Sequence, residues 1–77
     1  MSISNDDVVK IITDHISGAQ ATVEGDGYKY QATIISEAFK DLNTMKRHQL
    51  VYAALNDVIT SGDLHALTIK AYTPDEV

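Results

Sequence analysis

The 77-residue sequence has no cysteine and no tryptophan, and only one proline and one phenylalanine. Without cysteine, the chain by itself has no disulfide staple, no thiol nucleophile and no thiolate metal ligand. Such a composition fits a reducing compartment. With four Tyr and one Phe as its whole aromatic complement, the core has to be built from Ile, Leu, Val and Ala. No apolar run approaches the roughly 20 residues that span a bilayer. The first seven residues are acidic and polar and do not read as a secretory signal, so the expected location is cytoplasmic. A basic excess is missing too: six Lys and Arg face eleven Asp and Glu, for a net charge of −5. Phosphate neutralisation supplies most of the affinity of a nucleic-acid binder, so this balance argues against a dedicated one while leaving room for a local basic patch.

What remains is an ordinary globular composition, 44% hydrophobic and 22% charged, which predicts a folded chain rather than a disordered one. The length suits one domain over residues 1–77. A domain this small buries only about 60% of its unfolded surface, which leaves little structure for a deep catalytic pocket.

Ser4-Asn5-Asp6-Asp7 reads as a helix start, with Ser4 or Asn5 as cap and two carboxylates at the positive end of the helix dipole. Val8, Ile12 and Ile16 follow at spacing four and predict an amphipathic helix to about Ser17, stopped by Gly18. Gln20–Glu24 and Tyr28–Ser36 have the Thr, Val, Ile and Tyr content of strands. Gly25-Asp26-Gly27 between them predicts a hairpin with a type I′ turn. Glu37–Asn43 reads as a loop anchored by Phe39 and Leu42. Asn43 or Thr44 can then cap a second helix to about Thr60, its apolar stripe made of Val51, Ala54, Leu55 and Val58. Ser61-Gly62-Asp63 breaks that helix, and a last strand runs from Leu64 or His65 to Tyr72, closed by Pro74. The expected class is α+β, in the order α-β-β-α-β with room for a further helical turn, the helices covering one face of a three-stranded sheet.

No catalytic constellation stands out. Ser, His and Asp occur without triad spacing, and Gly25-Asp26-Gly27 lacks the longer glycine pattern and following helix of a phosphate loop. The chain reads as a binding module and not an enzyme. Among the three histidines, His65 at the start of the last strand can offer an imidazole nitrogen to a metal, or simply cap a strand. Lys46, Arg47 and His48, with Lys40, form the one basic cluster, able to meet a phosphate or an acidic partner or to stand as a solvated helix face. His15, near the end of the first helix, reads as a polar group suited to that end of the dipole.

The stretch Met45-Lys46-Arg47-His48-Gln49-Leu50-Val51-Tyr52-Ala53-Ala54-Leu55, followed by Leu64-His65-Ala66-Leu67-Thr68-Ile69-Lys70-Ala71-Tyr72-Thr73-Pro74, resembles the BolA-like family, most of all its short bacterial branch. The Gly25-Asp26-Gly27 turn fits that branch, and the resemblance covers essentially the whole chain. It implies an α-β-β-α-α-β order similar to the type II KH arrangement. It also implies partnership with a monothiol glutaredoxin in iron–sulfur cluster assembly, trafficking or sensing. In that partnership a two-iron two-sulfur cluster is shared: glutaredoxin and glutathione supply thiolates, and a histidine matching His65 completes the ligands. Many relatives carry a second His or Cys near the hairpin turn, where this sequence has Lys29. A protonated Lys cannot ligate iron, so either His65 is the only ligand this chain offers or the complex forms without a shared cluster; a two-histidine site of His65 with His48 or His15 has no spacing to support it. Other relatives are described as transcriptional regulators of stress responses, and that alternative would rest here on Lys40, Lys46, Arg47 and His48. When free, the chain is expected to be a monomer or weak dimer.

Overall fold

The structure, a computed structural model, describes residues 2–77. Helix α1 (Asn5–His15) leads into strands β1 (Gln20–Gly25) and β2 (Lys29–Ile35). A 3₁₀ turn (Glu37–Phe39), helix α2 (Thr44–Ala54), the short helix α3 (Asn56–Thr60), strand β3 (Ala66–Tyr72) and a closing 3₁₀ turn (Pro74–Glu76) follow. The fold is the expected α+β arrangement, with the extra helical turn present as α3.

The helix starts behave as their sequences require. Ser4 Oγ accepts the Asp7 N–H at 3.1 Å, and Asn43 Oδ1 accepts the Lys46 N–H at 2.9 Å, so each cap satisfies one of the free first-turn donors. Helix α1 ends at His15, two residues earlier than the apolar spacing suggests. Ile16 leaves helical geometry for φ −112°, ψ 115°, which turns its side chain into the core. The predicted single helix over 44–60 is divided at Leu55, which sits at φ −100°, ψ 8° between α2 and α3. Val51 and Leu55 are buried, while Ala54 and Val58 pack at the margin. The segment predicted as loop after β2 holds a 3₁₀ turn. Ser36, itself buried, caps it by accepting the Ala38 N–H and donates its hydroxyl to Ser17 O at 2.8 Å. Phe39 is fully buried as that segment's anchor, as expected.

The sheet order is β1-β2-β3. β1 and β2 form the antiparallel hairpin, with Gln20 opposite Ile35 and Gly25 opposite Tyr30. β3 returns parallel to β2, Lys29 beside Ala66 and Ile35 beside Tyr72. That return needs a crossover, which the two helices between β2 and β3 supply. Alternation puts Val23, Tyr30, Ala32, Ile34 and Ile69 into the core with Val8 and Ile12 of α1, Ile16 just after it and Val51 of α2. The opposite face carries Thr22, Glu24, Gln31, Thr68 and Lys70, all exposed, so one face is dry and the other wet as the strand patterns predict.

The hairpin turn departs from the expected geometry. Positive φ occurs at Gly27 (91°) and not at Tyr28. A type I′ turn needs positive φ at both central residues, whereas type II′ needs it at the first alone. The aspartate supplies what the second glycine-like position would have given: Asp26 Oδ1 accepts both the Tyr28 and Lys29 N–H groups at 2.9 Å. Those two bonds, Lys29's first, hold the Asp26 carboxyl below its ordinary pKa.

Candidate functional site: the sheet end at His65

Parallel pairing of β2 and β3 brings the hairpin turn and the start of β3 to the same end of the sheet. Lys29 pairs with Ala66. One residue earlier on each strand, just outside the ladder, the Tyr28 ring stacks on the His65 imidazole with centroids 6.2 Å apart and planes at 26°. Both side chains are exposed. The last strand begins at Ala66 rather than at His65, so His65 stands at the strand's mouth, and the preceding Leu64 is buried as its anchor.

Three stretches of backbone meet at this end. The Ile3 N–H donates to Asp63 O at 3.1 Å, and the Tyr30 hydroxyl donates to Ile3 O at 2.6 Å. Asn5 Nδ2 reaches Gly25 O at 3.4 Å. The N-terminal segment thus ties the loop before β3 to the hairpin. Among the described residues neither ring nitrogen of His65 has a hydrogen-bond partner, in contrast to His15, whose Nδ1–H is held by Ile11 O at 2.8 Å. An exposed imidazole with both nitrogens uncommitted can offer a lone pair to a metal ion. The chain does not build a complete metal centre: among the described residues no group of three or more His, Asp or Glu is placed to hold an ion. Lys29 shares the open sheet face with Gln31 and Thr33, by strand alternation; the side chain lying on His65 is Tyr28's, one position earlier.

The structure divides the basic stretch. Lys40 and Lys46 are exposed. Arg47 turns inward, its side chain only 14% exposed. Its Nε donates to Leu42 O at 2.8 Å, and Nη1 donates to Ala71 O at 3.1 Å and to Glu76 Oε1 at 2.6 Å. Nη2 donates to Glu76 Oε2 at 3.1 Å. The guanidinium fork thus locks the start of α2, the end of β3 and the closing turn together. Glu76 is held further by the Thr73 N–H at 2.7 Å. The Arg47 bonds first, then the Thr73 N–H, pull the Glu76 carboxyl down to about 2, and Glu76 in turn raises the Arg47 pKa. His48 is half-buried. The stretch that reads as one cluster in sequence thus presents two exposed lysines and one clamp.

The Tyr28 contact and the Arg47 clamp are the features that sequence reasoning missed. The first follows only from the parallel register, and the second needs the closing turn to fold back on α2. Elsewhere, a groove of about 230 Å³ lies between α1 and the α2–α3 junction, lined by residues that include Ile11, His15, Ala54 and Asp57. Its lining includes none of Tyr28, His65, Lys40, Lys46, Arg47 and His48. Among the described residues no helix is long and apolar enough to cross a membrane.

Comparison with known proteins agrees with this fold and with the sequence resemblance. The family model for BolA-like proteins matches residues 5–76. The acid stress protein IbaG of Escherichia coli is 32% identical over 74 residues, covering 96% of this chain and 88% of the relative. A bolA protein homologue from Coxiella burnetii superposes with a TM-score of 0.87 at 36% identity, covering 96% of this chain and 95% of that one. The BolA domain of SufE1 from Arabidopsis thaliana gives a TM-score of 0.84 at 29% identity, covering 100% and 99% of the two chains. With a family model over nearly its full length, and sequence and structure relatives in agreement, the chain belongs to the BolA-like family.

Proposed function

We propose that this chain is a non-enzymatic adaptor that docks a monothiol glutaredoxin and presents His65 to a two-iron two-sulfur cluster shared between them. The observation that carries the reading is the placement of His65: an exposed imidazole at the end of the sheet, unbonded at both nitrogens among the described residues, on a backbone tied down by Leu64 and the Ile3–Asp63 hydrogen bond. A chain without cysteine can supply imidazole but no thiolate, so the sulfur ligands belong to glutaredoxin and glutathione. Replacing a thiolate by a neutral imidazole changes the charge on the cluster and raises its reduction potential, as in Rieske centres. The protein's part is to bind the partner, hold the imidazole at the mouth of β3 and offer one ring nitrogen.

Reconstitution with a monothiol glutaredoxin, glutathione, iron and sulfide tests this, read by native mass spectrometry and visible circular dichroism. The expected product is a one-to-one complex carrying one two-iron two-sulfur cluster, with a spectrum distinct from that of glutaredoxin alone. His65→Ala should change that spectrum and shorten the cluster's lifetime. A complex that forms without a cluster would limit the role to protein docking, and no complex at all would remove the reading.

A further inference from the structure

An imidazole that serves as a ligand is usually oriented by a hydrogen bond from its second nitrogen to a carboxylate or a backbone carbonyl. His15 has such a bond, to Ile11 O at 2.8 Å. His65 has none among the described residues. What it has is Tyr28, stacked at 6.2 Å and 26°.

Tyr28 is an unusual side chain in this fold. It is 73% exposed and contributes little to the core, yet its backbone is tied into the turn. Its N–H and that of Lys29 both end on Asp26 Oδ1 at 2.9 Å. Gly25, next to them, is packed so closely that an added Cβ would stand 2.7 Å from Lys29 O. The segment bearing His65 is bound through Asp63 O to Ile3, and Ile3 O is bound to Tyr30, two residues beyond Tyr28. Both halves of the stack are therefore carried on backbone that one short segment ties together.

We propose that Tyr28 is the positioning residue for His65. With centroids 6.2 Å apart and planes at 26°, the phenol lies offset beside the imidazole and limits the space through which it can rotate about the Cβ–Cγ bond. Among the described residues neither nitrogen is consumed by a hydrogen bond. Stacking thus does the orienting that a carbonyl or carboxylate does for other ligand histidines, and it does so without fixing which nitrogen carries the proton. The partner-facing end then has an imidazole of limited motion and a large exposed phenol beside it. This inference rests on the reading of His65 as a cluster ligand.

The test uses the full chain and three variants: Tyr28→Phe, Tyr28→Ala and His65→Ala. In the free protein at one fixed pH, nuclear magnetic resonance reads the His65 ring protons, which a stacked ring displaces. Tyr28→Phe should keep that displacement and Tyr28→Ala should abolish it. In the complex reconstituted with monothiol glutaredoxin, glutathione, iron and sulfide, Tyr28→Ala should lose its cluster to a chelator about tenfold faster, the low end of what removing a supporting contact costs a metal site. Tyr28→Phe should restore the native rate. A merely structural role is read separately by thermal unfolding, which an exposed side chain should leave nearly unchanged. If His65→Ala alters the cluster and Tyr28→Ala does not, the positioning role is refuted and the adaptor reading stands. If His65→Ala leaves both spectrum and lifetime unchanged, the ligand assignment falls and the role of Tyr28 falls with it.

Discussion

Gly25→Ala is the substitution that probes the site end most directly. The new methyl carbon would lie 2.7 Å from Lys29 O and 2.8 Å from Tyr30 Cδ2, inside the closest approach such atoms normally make. Neither neighbour can step aside cheaply. Lys29 O accepts the Asp26 N–H at 3.3 Å in the last rung of the hairpin. The Tyr30 ring is buried, and its hydroxyl is fixed on Ile3 O at 2.6 Å. Overpacking of this kind costs about 1–3 kcal/mol, and a broken phenol hydrogen bond adds about 1 kcal/mol. Stiffening the unfolded chain returns about 0.4–1 kcal/mol. The balance is a loss of about 2 kcal/mol, which lowers the melting temperature of a domain this size by roughly 8–16 °C. Urea unfolding at neutral pH, followed by circular dichroism, measures it. Gly18→Ala is the comparison, because nothing lies within 4 Å of its added Cβ and its φ of +66° charges only backbone strain. That variant should leave the His65 ring-proton signals in place, whereas Gly25→Ala should move them. A Gly25→Ala protein within 0.5 kcal/mol of the native one, with unmoved signals, would refute the claim that the hairpin tip is rigid.

Other outcomes follow from the same contacts. Leu64→Ala, at a buried position next to His65, should cost about 2–5 kcal/mol in denaturant unfolding, while His65→Ala in the free chain should stay within about 0.5 kcal/mol of native. Glu76 has its folded pKa depressed from 4.5 to about 2. The stability it contributes is therefore fully present above the unfolded value and is lost as pH falls from about 4.5 through about 2. Glu76→Gln should be less stable than the native protein at pH 7, with the gap closing at pH 2. Urea midpoints across that range that stay parallel would exclude the Arg47 clamp as the cause. Arg47→Ala should lower the melting temperature and Lys46→Ala should not, since the first loses bonds to three segments and the second is exposed; equal effects would contradict the division of the basic stretch.

The parts of this fold visible in the sequence are those governed by neighbours along the chain. Ser4 and Asn43 announce their helices, Val8, Ile12 and Ile16 their buried face, and Gly25 to Gly27 the hairpin, because caps, periodicity and turns act over a few residues. The break at Leu55 carries no Gly or Pro and leaves no such mark. Arg47 reads as a surface charge until Glu76, 29 residues away, is seen to receive it. His65 was visible as a candidate ligand by residue type and by family resemblance. Its companion was not, because strand patterns say which residues are apolar and nothing of which strands adjoin. With β3 against β1 instead of β2, Tyr28 and His65 would not meet.

The parallel return of β3 also sets the order in which the site can come into being. A hairpin closes on local contacts within microseconds, so the Asp26 turn and Tyr28 can form early. The His65 side of the pair waits for α2, α3 and the crossover, since a strand distant in sequence docks only after that loop is closed. On a ribosome, β3 cannot settle beside β2 until its residues through Tyr72 have emerged. A chain cut off before His65 and β3 would carry Tyr28 without its histidine. The meeting of Tyr28 and His65 is thus a property of the finished domain and of no part of it.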